Sequence, residues 1–553
     1  MKIRDKSVTV RRRGQRGISG RILTYAGLAS YGLYLAFRIP LSNILGDIGI
    51  GLLAPALEIF FLITVFFSYG LTRIMTGLIR YRIKRKQYKS ARWIFKVSFR
   101  LALFSGILMS AVIALFSGFI ADILVLETLS RRAILVTALT IIPVALISVY
   151  RGYFNGSGLG MLTAHSQYIE KISMVAFAMI CGELFYNYGL KAAALLQNEM
   201  VSYAYGTMGV TIGIMLSELL TLLHLLFFYG IYSGVRKRQL LEDMDRRLEN
   251  KSQIMGMLLH GGLPVAIITL LCNAYLLIDQ RFFNYCMNRM GPEADRTYLW
   301  GSYYGKTAVL IGIASVMVCL AIQEYINRIV AAYEKEEYRI MRDRIGSTIK
   351  KMCIVSFPIA AYTAVLAEAL VCGLYKGETK QAVLLLRVGA AAIVLYGIAF
   401  LFGQLLLRFH YLRDLFIAVL AAFLLHLGVV YLLMQQLTIG ALGVLYGMYV
   451  FAVVFAIIAV FFVVRRLSYR QEWLRSIVFP AFCTGLSGLV VVLLNKLLLS
   501  AAGEIITVLV SCFAGVFFYI LLLIVFRVLQ EGELSKLPFG TLWITLGRMI
   551  GAL

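Results

Sequence analysis

The stretch Phe37–Asp47, FRIPLSNILGD, sets an arginine and a proline at the end of a long apolar run that opens at Ile22. A guanidinium inside a membrane span costs at least about 2.5 kcal/mol on insertion scales, so Arg38 is expected to face a wet interior rather than lipid. Pro40 removes a backbone donor and disfavours helix at Ile39, which predicts a bend or an unwound turn beside the charge. The bland alternative is an arginine that snorkels to an interface, above a proline that merely ends the helix.

The rest of the chain fixes the class. Of 553 residues, 60% are apolar and only 15% charged, with a mean hydropathy of +0.83, a composition that belongs in lipid. Fourteen apolar runs reach the roughly 20 residues a helix needs to cross a bilayer, from Ile22–Asn43 to Ile505–Val528. They are continuous rather than alternating, which argues for helices and against a barrel. The expectation is an all-α polytopic membrane protein of about fourteen transmembrane helices.

A net charge of +26 invites a nucleic-acid partner, but the basic residues follow membrane sidedness. With the N-terminus inside, roughly 41 Lys/Arg fall on cytoplasmic segments and roughly 9 outside, which predicts two cytoplasmic termini and no nucleic acid. The tail Lys2–Arg21 carries eight basic residues and Arg73–Arg100 ten, beside a membrane whose anionic lipids such clusters attract. The eight cysteines form no CxxC pair and the five histidines no HxxxH pair, so neither disulfides nor a metal site is expected. No cofactor is implied beyond a possible coupling Na+ or H+.

Organisation follows the loops. The charged connection 235–256 separates a first six-helix lobe, 22–234, from a second, 257–467; two further helices occupy 468–530 and an interfacial tail 531–553. Span seven carries Pro264, Asn273, Asp279, Gln280 and Arg281 near its outer end, as span one carries Arg38 and Pro40. That parallel suggests internal duplication around a central cavity, the usual build of secondary transporters. Ile44–Pro55, with Asp47 and three glycines, reads as a tight external turn. Tyr150–Met161, YRGYFNGSGLGM, reads as a short connection whose glycines let helices approach. Adjacent Glu170 and Lys171 do not share a helix face, so each is expected to find a partner on another element or at the interface.

No GxSxG, HExxH or Walker A motif is present, which argues against an enzyme. The substrate-binding candidates are Arg38, Arg281, Arg387, Arg73 and Asn43, because planar guanidinium groups hold phosphate oxygens through paired charge-assisted hydrogen bonds. Asp47, Glu58, Glu170, Gln167, Glu218, Asp279, Glu324 and Glu368 are the gating or coupling candidates, with buried structural ion pairs as their alternative. Pro40, Gly152 and Pro264 are the hinge candidates.

FRIPLSNILGDIGIGLL, Phe37–Leu53, resembles the first-helix signature of the SpoVB-like and MurJ-like branch of the multidrug/oligosaccharidyl-lipid/polysaccharide (MOP) flippase superfamily. RGYFNGSGLGMLTAHSQYIEK, Arg151–Lys171, resembles that branch between helices four and five, and NAYLLIDQR, Asn273–Arg281, is a weaker echo. The resemblance implies two lobes around a cavity and export of a lipid-linked saccharide by alternating access. It points to Arg38, Pro40, Asn43, Asp47, Arg151, Gly152, Gln167, Glu170 and Asp279. The chain departs from the pattern at Tyr69–Met75, YGLTRIM, and at Gln323–Tyr325, QEY.

Three functions follow. The first is a flippase for a polyprenyl-pyrophosphate-linked saccharide or peptidoglycan precursor in a bacterial cytoplasmic membrane, acting as a monomer beside envelope-synthesis proteins. The second is a cation-coupled multidrug exporter of the same superfamily. The third is a non-transporting scaffold in envelope synthesis.

Overall fold

The computed structural model describes residues 25–551 apart from 244–248, 290–292, 437–439, 468, 470–471 and 536–538. The basic tail Lys2–Arg21 lies outside the described residues. Among those described, regular structure is helical, with no strand. Contacts divide the chain into two compact units, Met1–Gly301 with Val430–Gly440, and Ser302–Val429 with Ala441–Leu553. This partition differs from the two six-helix lobes read from the loops, and Lys251–Met287 packs with the first unit. The two-lobe division remains a proposal.

The first unit opens with a helical hairpin. Helix α1 (25–36) yields to a single turn residue at Phe37, and α2 (Arg38–Phe67) follows with Pro40 in its first turn, where a missing N–H costs little. Inside α2 the chain reverses at one residue, Gly46, with φ 67° and ψ 178°, a conformation essentially restricted to glycine. Residues either side then meet across the fold: Tyr34 Oη donates to the Leu57 carbonyl at 3.3 Å, and the Tyr31 and Phe61 rings lie 5.5 Å apart. The turn expected over Ile44–Pro55 is therefore concentrated at Gly46, and the residues after it are already helical.

A π-helical turn, Ser68–Thr72, leads into α3 (Arg73–Lys84), followed by α4 (Tyr88–Leu115), α5 (Arg131–Gly156), α6 (Gly160–Leu196) and α7 (Met200–Ile231). Glycines set the close packing. A Cβ on Gly152 would stand 3.0 Å from Met75 Cβ, and one on Gly156 2.7 Å from Ile79 Cβ, so α5 lies directly against α3. Gly158, at φ 84°, supplies the expected left-handed turn into α6.

At the Gly46 end of the unit, α8 (Lys251–Leu271), α9 (Tyr275–Met287) and α10 (Glu293–Ser302) close on the earlier helices. Gln280 Nε2 donates to the Gly51 carbonyl at 3.4 Å and Asn284 Nδ2 to the Val125 carbonyl at 2.9 Å. Thr297 Oγ1 donates to Glu127 Oε2 at 2.9 Å, with Arg296 Nε 3.9 Å from the same oxygen and Arg296 Nη2 donating to the Leu126 carbonyl at 2.7 Å. Glu127 and Arg296 are both buried, an ion pair with no signature in the sequence.

The second unit comprises α11 (Ala308–Tyr333), α12 (Tyr338–Val365), α13 (Ala367–Leu374), the bent pair α14 (Lys380–Gly389) and α15 (Ala392–Arg408), most of α16 (Leu412–Gln436), α17 (Ala441–Leu467), α18 (Phe479–Ala502), α19 (Glu504–Val525) and α20 (Gly540–Met549). Lys306 is fully buried and donates to the Glu378 carbonyl at 2.9 Å. Helix α20 turns Trp543 inward, its ring 5.3 Å from that of Phe517, and leaves Phe539 and Met549 exposed, as an interfacial helix does.

Among the described residues, eleven helical segments, or twelve with the bent pair α14/α15, are long and apolar enough to cross a membrane, so fourteen is not reached on that measure. The hairpin folded at Gly46 counts once, within Tyr25–Lys84, and α6 is absent from the set. Charges such as Glu170, Lys171, Glu183 and Lys191 dilute the apolarity of α6.

Candidate functional site

The polar residues of the first unit meet in a cavity of about 130 Å³ between α1, α2, α5 and α6, lined among others by Tyr31, Tyr34, Phe60, Arg151, Gln167, Glu170 and Lys171. Arg38, at the start of α2, lies behind the lining residue Tyr34. Its Nη2 donates to Tyr34 Oη at 3.3 Å and stands 3.8 Å from Glu58 Oε1 across the hairpin. Arg38 is 4% exposed and Glu58 3%, so the charges are desolvated together. Snorkelling, which leaves the head group in water, does not describe Arg38.

A second ion cluster faces the first. Arg151 on α5 donates from Nη2 to Glu170 Oε2 at 2.5 Å and from Nε to Ser166 Oγ at 2.9 Å, both acceptors on α6. The other oxygen of Glu170 pairs with Lys171 Nζ. This corrects one expectation: although backbone neighbours on a helix diverge, the long lysine stem folds back to its adjacent carboxylate. Glu170 does find the expected cross-helix partner, Arg151.

Tyr34 joins the clusters. Its ring centroid is 5.1 Å from Arg38 Cζ and 5.3 Å from Lys171 Nζ, within range for cation–π attraction to each. Nearby on α7, Glu218 is buried and within Coulombic range of Glu170, Lys171 and Arg151, and Ser217 Oγ donates to the Glu170 carbonyl at 2.7 Å. Three cations thus gather with Glu58, Glu170 and Glu218. Water-exposed ion pairs are weak, but buried ones are tightly constrained, because removing one partner strands the other charge.

The remaining candidates lie elsewhere. Arg281, half-buried on α9, donates to the backbone carbonyls of Ile123 and Leu124, the latter at 3.5 Å, and so caps the irregular segment after α4 rather than joining Arg38. Arg387 makes an exposed pair with Glu368 at 3.0 Å in the second unit. Arg73 begins α3 beside Tyr69 and is not among the cavity-lining residues. Asn43 is half-buried and Asp47 buried on either side of Gly46. Asp279 is fully buried on α9, next to Gln280. Glu324 pairs with Arg328, one turn along α11, at 3.4 Å.

Of the hinge candidates, Pro40 follows Phe37, whose φ −64° and ψ −21° remain helical, Gly152 serves close packing, and Pro264 lies within α8, whose helix breaks later, at Cys272–Ala274. Arg408, at the end of α15, donates to the amide oxygens of Asn327 at 2.6 Å and Gln404 at 3.4 Å. Sequence reasoning left Tyr34 and Lys171 out of the candidate set. The i,i+4 spacing of Tyr34 and Arg38 was the one signal for the tyrosine.

This multi-pass helical chain with paired charges buried in its spans shares its fold with solved structures of membrane transporters. Lipid II flippase MurJ in an inward closed conformation superposes with a TM-score of 0.62 at 13% identity, covering 91% of this chain and 98% of that one. An inward-facing multidrug resistance MATE family transporter of the MOP superfamily gives 0.59 at 15% identity, over 81% and 98%. In sequence, residues 19–285 match the family described as polysaccharide biosynthesis protein. Stage V sporulation protein B of Bacillus subtilis (strain 168) is 23% identical over 542 residues, 96% of this chain and 98% of that protein. The resemblance to the SpoVB-like and MurJ-like branch of the superfamily therefore holds, and both stretches that carried it, Phe37–Leu53 and Arg151–Lys171, fall inside the matched residues. Of the two solved structures, one is described as a flippase and the other as a transporter.

Proposed function

We propose that this protein moves a polyprenyl-pyrophosphate-linked saccharide between the leaflets of a bacterial cytoplasmic membrane by alternating access, with both termini cytoplasmic. The observation that carries the reading is that Arg151 and Lys171 line one cavity inside the first unit, with Arg38 behind its lining residue Tyr34. Guanidinium and ammonium groups in a low-dielectric site suit a pyrophosphate, which offers oxygens to several donors at once. The similarity to a lipid II flippase and to a family described by polysaccharide biosynthesis supports that substrate class.

At about 130 Å³ the cavity is smaller than the roughly 300–1,000 Å³ of typical small-molecule sites, so the arrangement described is one that must open before a headgroup enters. Glu58, Glu170 and Glu218 are the carboxylates placed to gate the cations or to exchange a coupling ion. The test is leaflet accessibility of labelled polyprenyl-pyrophosphate saccharide in proteoliposomes. Transfer by the wild-type protein that is lost in Arg38→Ala supports the reading; no transfer beyond protein-free vesicles refutes it.

A further inference from the structure

We infer that Glu170 acts as an internal stand-in for the substrate's anionic group: in the arrangement described it occupies Arg151 and Lys171, and a bound anion must displace it from both. The inference rests on the proposed anion-binding role of this cavity and adds the competitor that regulates it. Three observations carry it. Glu170 uses its two oxygens on two different cations, Oε2 on Arg151 at 2.5 Å and Oε1 on Lys171, as one phosphate group bridges two donors. All three side chains line the cavity, so the donors occupied by the carboxylate are those an incoming anion would meet. The acceptor is built into a rigid support, since the Glu170 carbonyl receives hydrogen bonds from Ser217 Oγ at 2.7 Å and Ser173 Oγ at 3.2 Å.

The physical consequence is a conformational penalty on binding. A site competent only when Glu170 has let go shows an apparent affinity reduced by the fraction of time it is free. In return, the cations are never left bare in the membrane while no substrate is present, a state that would strand buried charge. Tyr34 sits where it can retain Lys171 once the carboxylate leaves, its ring 5.3 Å from Nζ.

The experiment is isothermal titration of inorganic pyrophosphate into the full chain in detergent, comparing wild type with Glu170→Gln and with the double variant Glu170→Gln/Arg151→Ala. The expected result is binding that tightens about tenfold or more in Glu170→Gln, since about 1.4 kcal/mol of relieved competition is a factor of ten, and that is lost in the double variant. Wild-type binding left unchanged or weakened by Glu170→Gln overturns the stand-in and leaves the anion site intact. Tightening that survives Arg151→Ala also overturns it, because the ligand then sits elsewhere. No binding to wild type or Glu170→Gln overturns the anion-binding reading itself. Should Glu170→Gln fail to fold, Glu170→Asp carries the same test: its shorter side chain loosens the grip on Arg151, so tightening is expected and its absence counts against the inference.

Discussion

Arg38 and Glu58 face each other at 3.8 Å across a hairpin whose reversal is a single residue, Gly46. Tyr34 takes one of the arginine's donors. A cation held this way is neutralised enough to reside in a span.

Removing one member should therefore cost more than removing both. Arg38→Ala leaves a buried carboxylate and is expected to destabilise by about 3–5 kcal/mol, whereas Arg38→Ala/Glu58→Ala recovers part of that loss. Thermal unfolding in detergent across the double-mutant cycle measures it; a loss in the double variant equal to the sum of the two single losses would show that the two charges do not interact.

Gly46→Ala isolates backbone strain. A Cβ there meets nothing within 4 Å, so its whole effect comes from φ 67° and ψ 178°. The expected cost is about 1–3 kcal/mol. A neutral Gly46→Ala in the same unfolding measurement would mean that the reversal is made elsewhere.

Glu127 and Arg296 give a second buried pair at the Gly46 end of the first unit. Arg296→Ala removes the cation from the buried Glu127, which still accepts from Thr297 at 2.9 Å, and is expected to cost about 3–5 kcal/mol. Glu127→Gln, which keeps an acceptor for Thr297, should cost less. The ordering of the two melting temperatures checks this.

Arg387→Ala is the contrasting case. Its pair with Glu368 is about half exposed on both sides, so the expected loss is about 0.2–1 kcal/mol with no effect on leaflet transfer. Loss of transfer in Arg387→Ala would return that residue to the substrate path.

What the sequence made legible follows from which forces are local. Composition and apolar run length announce membrane helices, and GDIGIG announces a reversal because only glycine tolerates such a backbone. Arg38 stood out because lipid penalises it wherever the chain goes. The partners of charges were not legible. Arg281 resembles Arg38 in sequence context, yet it caps carbonyls at Ile123 and Leu124, since those become neighbours only through helix packing. Lys171 was hidden for the opposite reason: helix-face geometry considers Cβ directions, whereas a four-carbon stem can bend back to the preceding residue. Glu127 and Arg296 lie in segments without apolar periodicity, where no pattern marks a buried pair.

If the cations near Tyr34 hold the anionic group of a lipid-linked saccharide during transfer, their loss must abolish it. Leaflet accessibility of labelled polyprenyl-pyrophosphate saccharide is measured in proteoliposomes carrying wild type, Arg38→Ala, Arg151→Ala or Arg387→Ala, each at matched incorporation. Transfer is expected from wild type and Arg387→Ala and none from the other two; full transfer by Arg38→Ala and Arg151→Ala would rule out this role for the cations.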